Sequence, residues 1–500
     1  MRDFLTNPAW QPADLGRPLP DTEHAVSVAL PCWQDVVDYE EEKPRIAAAL
    51  RTGYPRFFLH PQTAKLMEAA VERYALPRGW SCLVFPSRLA ALRCRTWIQR
   101  KCGPATPTSL HPCGQVGAEV LGFPETARRT AREYWRYCGE TVSSRMAMRL
   151  LDHTAADECI HAAGAIARTL IAQRLGALHG VPPSSVFLFP SGMAAISALH
   201  RAVVSLQPEK PTVQLDFPYV DVLKVQQEFG GAHFFPVCDE DAFQRIEALA
   251  ATRKISGVFC EMPSNPLLRC VDAGRLSAAL KPAGIPLIID DTIAGVANID
   301  ALRFADAVTT SLTKAFSGAG DVMAGSIVLH PQSPFHAALA AALTDDQSDG
   351  NVLWCEDAVT LETNSRDFPQ RMARMSATAA ILATALRAHP AVGEVYYPDP
   401  KGDYQSVARP GAGCGSLLSF VLKNPADAPA VYDRLRISKG PSLGTNFSIC
   451  CPFTMLAHYQ ELPWAASCGV RADLLRLSAG LEDPDDLLAR LHAALASCIG

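Results

Sequence analysis

A chain of 500 residues that is 48% hydrophobic and 19% charged, with a formal charge of −5, has the balance of a soluble globular protein built from two or three sub-domains. That charge excludes broad electrostatic attraction to nucleic acid or an anionic membrane, and no run of about 18 apolar residues offers a bilayer span. The 16 Cys are scattered, with Cys450 and Cys451 adjacent and no CxxC, so neither a disulfide framework nor a metal site is indicated, and reduced thiols in a cytoplasmic compartment are expected.

Met1 to Gln11 lacks the apolar stretch of a secretory signal. Residues 1 to about 45, rich in Pro, Asp and Glu, read as an extended arm that either wraps a partner subunit or is disordered. From about 60 to 180 the pattern is mostly helical, with long stretches at Ala127–Tyr137 and Ile160–Leu178. A weak internal echo runs through it: Glu72–Leu76 followed by Cys82–Ser87 resembles Gln173–Leu178 followed by Val186–Ser191, each a helix, a turn, an apolar strand and Pro-Ser. Between about 183 and 330, β-rich apolar runs alternate with Ala/Leu-rich helical stretches. The strands are expected at Val186–Phe189, Thr212–Leu215, Gly257–Glu261, Pro286–Ile289, Ala307–Thr309 and Gly325–Val328. This rhythm predicts βαβ units and a mostly parallel sheet covered by helices, with ligands beyond the carboxyl ends of the strands. A long helix, Met372–Ala388, then opens a smaller α/β unit with strands near Val395–Tyr397 and Leu417–Leu422. The expected domains are an arm and helical extension (1–180), a central α/β domain (181–370) and a smaller C-terminal α/β domain (371–500).

Six motifs carry chemistry. Lys314, in Ser311-Leu312-Thr313-Lys314 just past a strand, can reach a cofactor aldehyde if its amine is partly desolvated, and the Ser311 and Thr313 hydroxyls can donate to a phosphate. An isolated loop lysine is more often simply exposed. Asp290, ending an apolar strand, can pair with a pyridinium nitrogen, although a helix N-cap is the plainer reading. Ser191-Gly192-Met193 turns from a strand into a helix, and its free N–H groups form an anion site if they are more than an ordinary junction. Asn265, held extended before Pro266, can hydrogen-bond a phenolic oxygen. Tyr219 can stack on a planar ring. Arg476, in an apolar run, is costly to bury unless it grips a carboxylate. Each has a structural alternative, but together, in this order, they supply the parts of one ligand's site.

This order resembles the Cys/Met-metabolism family of pyridoxal-phosphate enzymes over about Val186 to Glu482, and implies the type I aminotransferase-like fold. On the resemblance, Lys314 is the Schiff-base lysine, Asp290 the pyridine-nitrogen partner and Tyr219 the stacking aromatic. Ser191, Gly192, Met193, Ser311 and Thr313 lie on the phosphate side, Asn265 near the phenolic oxygen, and Ser442 and Arg476 on the substrate carboxylate. The segments His24–Pro31, Gly53–Phe58, Phe217–Asp221, Asn364–Phe368 and Ala457–Tyr459 are similar to the long fungal-type branch. The implied activity is γ-replacement on an O-acyl-homoserine-like amino acid by a thiol, carbon or nitrogen nucleophile. A β/γ-elimination lyase and a non-catalytic relative are the alternatives. The implied cofactor is pyridoxal 5′-phosphate, in a homodimer or homotetramer with sites at the subunit interface.

Two positions depart from the family pattern. Asp291 stands where Asn is usual. The Tyr-x-Arg sent to a neighbouring subunit's phosphate has no counterpart in Ser143–Asp152, where Arg149 is the expected phosphate ligand. Tyr54-Pro55-Arg56 has the right letters but lies far too early, unless the intervening segment is an insertion: either the chain folds back so that Tyr54 and Arg56 enter a neighbour's site, or they form a packed apolar turn and Arg149 alone reaches the phosphate.

Overall fold

The computed structural model describes residues 2–114, 117–152 and 158–498. Its centre is a seven-stranded sheet of β4 (Val186–Phe189), β5 (Thr212–Leu215), β6 (Ala232–Phe235), β7 (Val258–Glu261), β8 (Leu287–Asp290), β9 (Ala307–Thr310) and β10 (Gly325–Leu329), ordered β4-β10-β9-β8-β7-β5-β6. All neighbours are parallel except β10, which runs antiparallel to both β4 and β9. β7, β8 and β9 are buried along almost their whole length, which is why they read as apolar runs in the sequence. β6 escapes that reading because it is a half-exposed edge strand carrying a histidine.

Residues 60–180 depart from the expected helical pattern. β1 (Trp80–Phe85), β2 (Ser109–Cys113) and β3 (Ala118–Pro124) make a separate antiparallel sheet, ordered β1-β3-β2. It packs with the helices Pro61–Arg73, Arg88–Cys102 and Arg128–Cys138 around a core containing Phe85, Trp97, Phe123 and Trp135. β1 is the apolar strand expected within Cys82–Ser87, but β2 and β3 become strands only through long-range pairing, which local periodicity could not show. The internal echo exists locally. Ser87 caps the helix after β1 by accepting from Ala90 N at 3.1 Å, and Ser191 caps the helix after β4 by accepting from Ala194 N at 3.0 Å. The two strands nevertheless belong to different sheets. A buried network joins this module to the central domain. Arg93 and Arg201 both pair with Glu140, at 2.7 and 2.9 Å, and both pair with Asp346.

A second sheet lies in the C-terminal part: β11 (Val392–Tyr396), β12 (Leu417–Leu422), β13 (Ser438–Lys439), β14 (Ile449–Pro452) and β15 (Leu475–Ser478), ordered β11-β12-β15-β14-β13. The helices Phe368–Ala388 and Pro484–Leu495 cover it. The N-terminal arm is neither disordered nor extended away from the chain. Leu30 N donates to Lys439 O at 3.0 Å, and Lys439 N donates to Ala9 O at 3.1 Å. The buried Lys439 ammonium donates to Pro31 O at 2.7 Å and Asp433 O at 2.9 Å. Val28, Leu30 and Val36 complete the C-terminal core. The arm is thus fixed where its helix Trp33–Glu40 and the turn Tyr54–Phe58 reach the carboxyl ends of the central strands. Among the described residues no helix is long and apolar enough to cross a membrane.

Candidate active site

A cavity opens beyond the carboxyl ends of β7, β8 and β9, walled on other sides by the arm and the C-terminal part. Lys314 stands four residues past β9 and faces into it, with Nζ 4.4 Å from the centroid of the Tyr54 ring. Burial holds the Lys314 amine below its usual value. The Tyr54 hydroxyl opposes this, while the cations Arg476 and Arg56 reinforce it. Burial alone would raise the Tyr54 hydroxyl, but Lys314 and Arg56 outweigh it and hold it below the usual tyrosine value. A phenol and an amine, each shifted toward the other, can share a proton readily.

Asp290 ends β8 and pairs in register with Glu261, the last residue of β7, so two carboxyls lie side by side in the cavity wall. Burial raises both. Glu261 is lifted further by Asp290, although Tyr219 N at 2.5 Å and Asn265 N at 3.2 Å donate to it. Asp290 accepts from Thr292 N at 2.8 Å. Strand alternation turns Asp291 out of the cavity into full burial, where Thr310 Oγ1 donates to it at 2.6 Å and burial pushes its carboxyl up to about 7.

The helix Gly192–Leu206 points its N-terminus at the same cavity. The Ser191 hydroxyl is occupied as its cap and by Gly139 O, which leaves the Gly192 and Met193 N–H groups of the first turn facing the space. A Cβ on Gly192 would lie 2.8 Å from the Ser311 Cβ, so only glycine lets the Ser311 loop come this close to the helix end. Arg476 is 4% exposed and donates to Asn265 Oδ1 at 3.2 Å, Pro441 O at 2.9 Å and Ser442 O at 3.3 Å. No carboxylate of the described residues is in ion-pair reach of it. A buried guanidinium without a counter-ion is the arrangement that receives an anionic ligand group. Arg56, by contrast, is buried and neutralised by Asp221 at 2.7 Å, and it also donates to the Tyr219 hydroxyl.

The structure therefore brings Lys314, Asp290, Tyr219, Gly192, Met193, Asn265, Ser311 and Arg476 to one cavity. Three expected ligands stand just behind its surface. Ser191 is the helix cap. Thr313 uses its hydroxyl to accept from Ala324 N at 3.0 Å, and Ser442 offers its carbonyl to Arg476. Arg149 does not line this cavity of its own chain. It lies on the helix Ser144–Leu151, pairs with Glu356 at 2.9 Å and lines a different surface depression with His24 and Arg145. Tyr54 and Arg56 stand in a packed turn, with Phe57 N donating to Tyr54 O at 2.9 Å, and both line the Lys314 cavity of their own chain. The sequence reading passed over Glu261, which a carboxylate ending an apolar strand could have revealed. It also passed over Tyr39 and Glu40 of the arm, which no local signal marks.

Comparison with known families decides where the chain stands: the Cys/Met metabolism PLP-dependent enzyme profile matches residues 163–496. The chain belongs to that family. The family's members are pyridoxal-phosphate-dependent enzymes, and so is this chain. A second profile, the N-terminal domain of fungal trans-sulfuration enzymes, matches residues 62–143, the segment that separates Tyr54-Pro55-Arg56 from Ser191-Gly192-Met193. A cystathionine gamma-synthase of Neurospora crassa is 31% identical over 97% of this chain and 98% of its own. An L-2-amino-4-chloropent-4-enoate dechlorinase/desaturase of Streptantibioticus cattleyicolor is 32% identical over 95% of this chain and 97% of its own. The crystal structure of cystathionine gamma synthase from Xanthomonas oryzae pv. oryzae with cystathionine superposes with a TM-score of 0.60 at 27% identity, covering 67% of this chain and 87% of that one. The family's cofactor fits the residues present. The glycine cradle at Gly192, the strand-end carboxyl of Asp290 and the half-buried amine of Lys314 match a phosphate, a pyridine nitrogen and an aldehyde respectively.

Proposed function

We propose that this chain catalyses γ-replacement on an O-acyl-homoserine-like amino acid, exchanging the acyloxy group for a thiol or another small nucleophile, in the cytoplasm and as a homo-oligomer. The observation that carries the proposal is the unpaired Arg476 guanidinium in one cavity with Lys314 and Tyr54, an amine and a phenol poised to pass a proton. Arg476 binds the substrate α-carboxylate and fixes the direction of the Cα–H bond. Gly192 and Met193 N–H, with the Ser311 hydroxyl, hold the cofactor phosphate. Tyr219 stacks on its ring, Asn265 lies near its phenolic oxygen and Asp290 keeps its nitrogen protonated. When bound, pyridoxal phosphate supplies the electron sink that lets Cα and then Cβ lose protons. Lys314 takes the proton from Cα, passes it on through the Tyr54 hydroxyl beside the amine, and as a free amine again takes a second proton from Cβ, while Tyr54 steadies its charge in between. The electron pair left at Cβ expels the acyloxy group from Cγ as a carboxylate, the nucleophile bonds to Cγ, and Lys314 returns protons to Cβ and Cα. The N. crassa and X. oryzae relatives, both cystathionine gamma-synthases by name, support the reading.

The test is a panel of O-acetyl- and O-succinyl-homoserine with several thiols and amines, products read by mass spectrometry. A thioether or substituted amine supports replacement. Keto acid and ammonia alone, with every nucleophile, would make the protein an elimination lyase.

A further inference from the structure

We infer that Glu40 is the recognition group for a positively charged amino group on the incoming nucleophile. The inference rests on the γ-replacement reading, and it starts from a difference among the acids of one short segment. Asp35 accepts from Cys32 N and pairs with Arg45 at 2.8 Å. Asp38 pairs with the same arginine and accepts from Gln34 at 2.7 Å. Glu41 accepts from the Tyr459 hydroxyl at 2.7 Å and pairs with Lys43 at 3.0 Å. Glu40, among them, lines the Lys314 cavity, and among the described residues no hydrogen bond or ion pair reaches its carboxyl. The nearest strong cation, Arg136, is committed to Asp221 at 2.8 Å.

A half-buried carboxyl without a partner is a standing cost, because burial disfavours its charged form and nothing beside it repays the desolvation. Burial pushes Glu40 up to about 8; Glu42 pushes the same way and Arg136 opposes. An ammonium arriving next to it would reverse that balance and hold the carboxylate ionised. The other acids of the cavity cannot serve. Glu261 and Asp290 belong to the strand ends on the cofactor side, and Glu261 is engaged by two backbone N–H groups. Glu40 comes instead from the arm, in a wall shared with Tyr39, Phe57, Leu456 and Ala457. That surface is otherwise apolar or aromatic, so one carboxylate in it distinguishes an amine-bearing nucleophile from the same nucleophile without the amine. Glu40 is thus a specificity residue for the second substrate and takes no part in proton transfer at Cα.

The experiment compares L-cysteine with 3-mercaptopropionate, which keeps the thiol and carboxylate and lacks the amine, in the wild-type holoenzyme, Glu40→Gln and Glu40→Asp. The expected result is a rise of about tenfold or more in KM for cysteine in Glu40→Gln. KM for 3-mercaptopropionate and for the acylated amino acid should change less than twofold, and Glu40→Asp should recover part of the loss. Equal losses for both thiols, or none for cysteine, overturn the assignment. Should the wild type form no thioether with any nucleophile, the γ-replacement reading falls separately. The two thiols are then compared as inhibitors of keto-acid formation, and an unchanged ratio of their inhibition constants in Glu40→Gln refutes the role of Glu40.

Discussion

Replacing Tyr54 by Phe removes one oxygen from the cavity and nothing from the packing. The Tyr54 ring is 9% exposed and lies against Val26, Met323 and Phe57, contacts that phenylalanine keeps. The lost hydroxyl interacts with Lys314 and Arg56, both cationic partners. A hydrogen bond to a charged group contributes about 1.5–3 kcal/mol. If that contribution is realised while Lys314 carries the proton, turnover falls by about 10- to 150-fold at about 1.4 kcal/mol per decade. The fold should lose less than about 1 kcal/mol, a shift in melting temperature of about 2–4 °C or less for a chain of this size. The pH profile has a sign as well. Tyr54 raises the Lys314 amine against the effect of burial, so its removal lets the amine fall further and moves the acid limb of turnover to lower pH. The assay is single-turnover kinetics on cofactor-loaded protein across pH, with scanning calorimetry on the same samples. Turnover within threefold of wild type at full loading refutes the reasoning, and so does a rate loss matched by a fall in melting temperature of many degrees.

Asp290→Asn removes the charge expected to keep the ring nitrogen protonated, and turnover should fall at least about 100-fold, on the order of 3 kcal/mol of barrier, in protein that still takes up cofactor; near-normal steady-state rates would sink the role. Arg476→Lys loses the planar fork, so KM for every amino-acid substrate should rise by about tenfold or more with cofactor binding unchanged; a variant that only melts earlier would make the arginine structural. Arg149→Ala should leave cofactor affinity unchanged in an absorbance titration, because Arg149 does not line the Lys314 cavity, and the lost half-exposed pair with Glu356 should cost about 1 kcal/mol or less; a tenfold weaker cofactor would place Arg149 at the phosphate.

Much of the central domain was readable because its strands are short, buried and bounded by glycine, proline or helix. β4 and β5 match their expected limits, and β7 to β10 do so within a residue. What could not be read depends on distant pairing. β2 and β3 become strands only against each other and β1, and the arm is tied by Lys439, some 400 residues later, which has three polar partners among its atoms, and by the C-terminal core that Val28, Leu30 and Val36 join. The same division holds at the site. Lys314, Asp290 and Gly192 sit where a strand end or helix start puts them, so local pattern found them. Tyr54 and Arg56 lie far from Ser191 in the sequence yet line the same cavity. Between them stands the module of residues 62–143, with its own sheet and core, which no local spacing reveals. Arg149 pairs with Glu356.

The pinned arm has a consequence for how the protein comes into being. The cavity needs Tyr54 and Arg56 together with Arg476, made some 420 residues later. The segment that carries the first two is held by Lys439 and by strands completed only near the end. Domains that fold as they leave the ribosome can close early; this reaction chamber cannot. The central sheet can form on the nascent chain, but the cavity wall waits for Arg476, so a chain stopped short of it would be a folded and half-built vessel, and a cut within the arm would remove the facing wall.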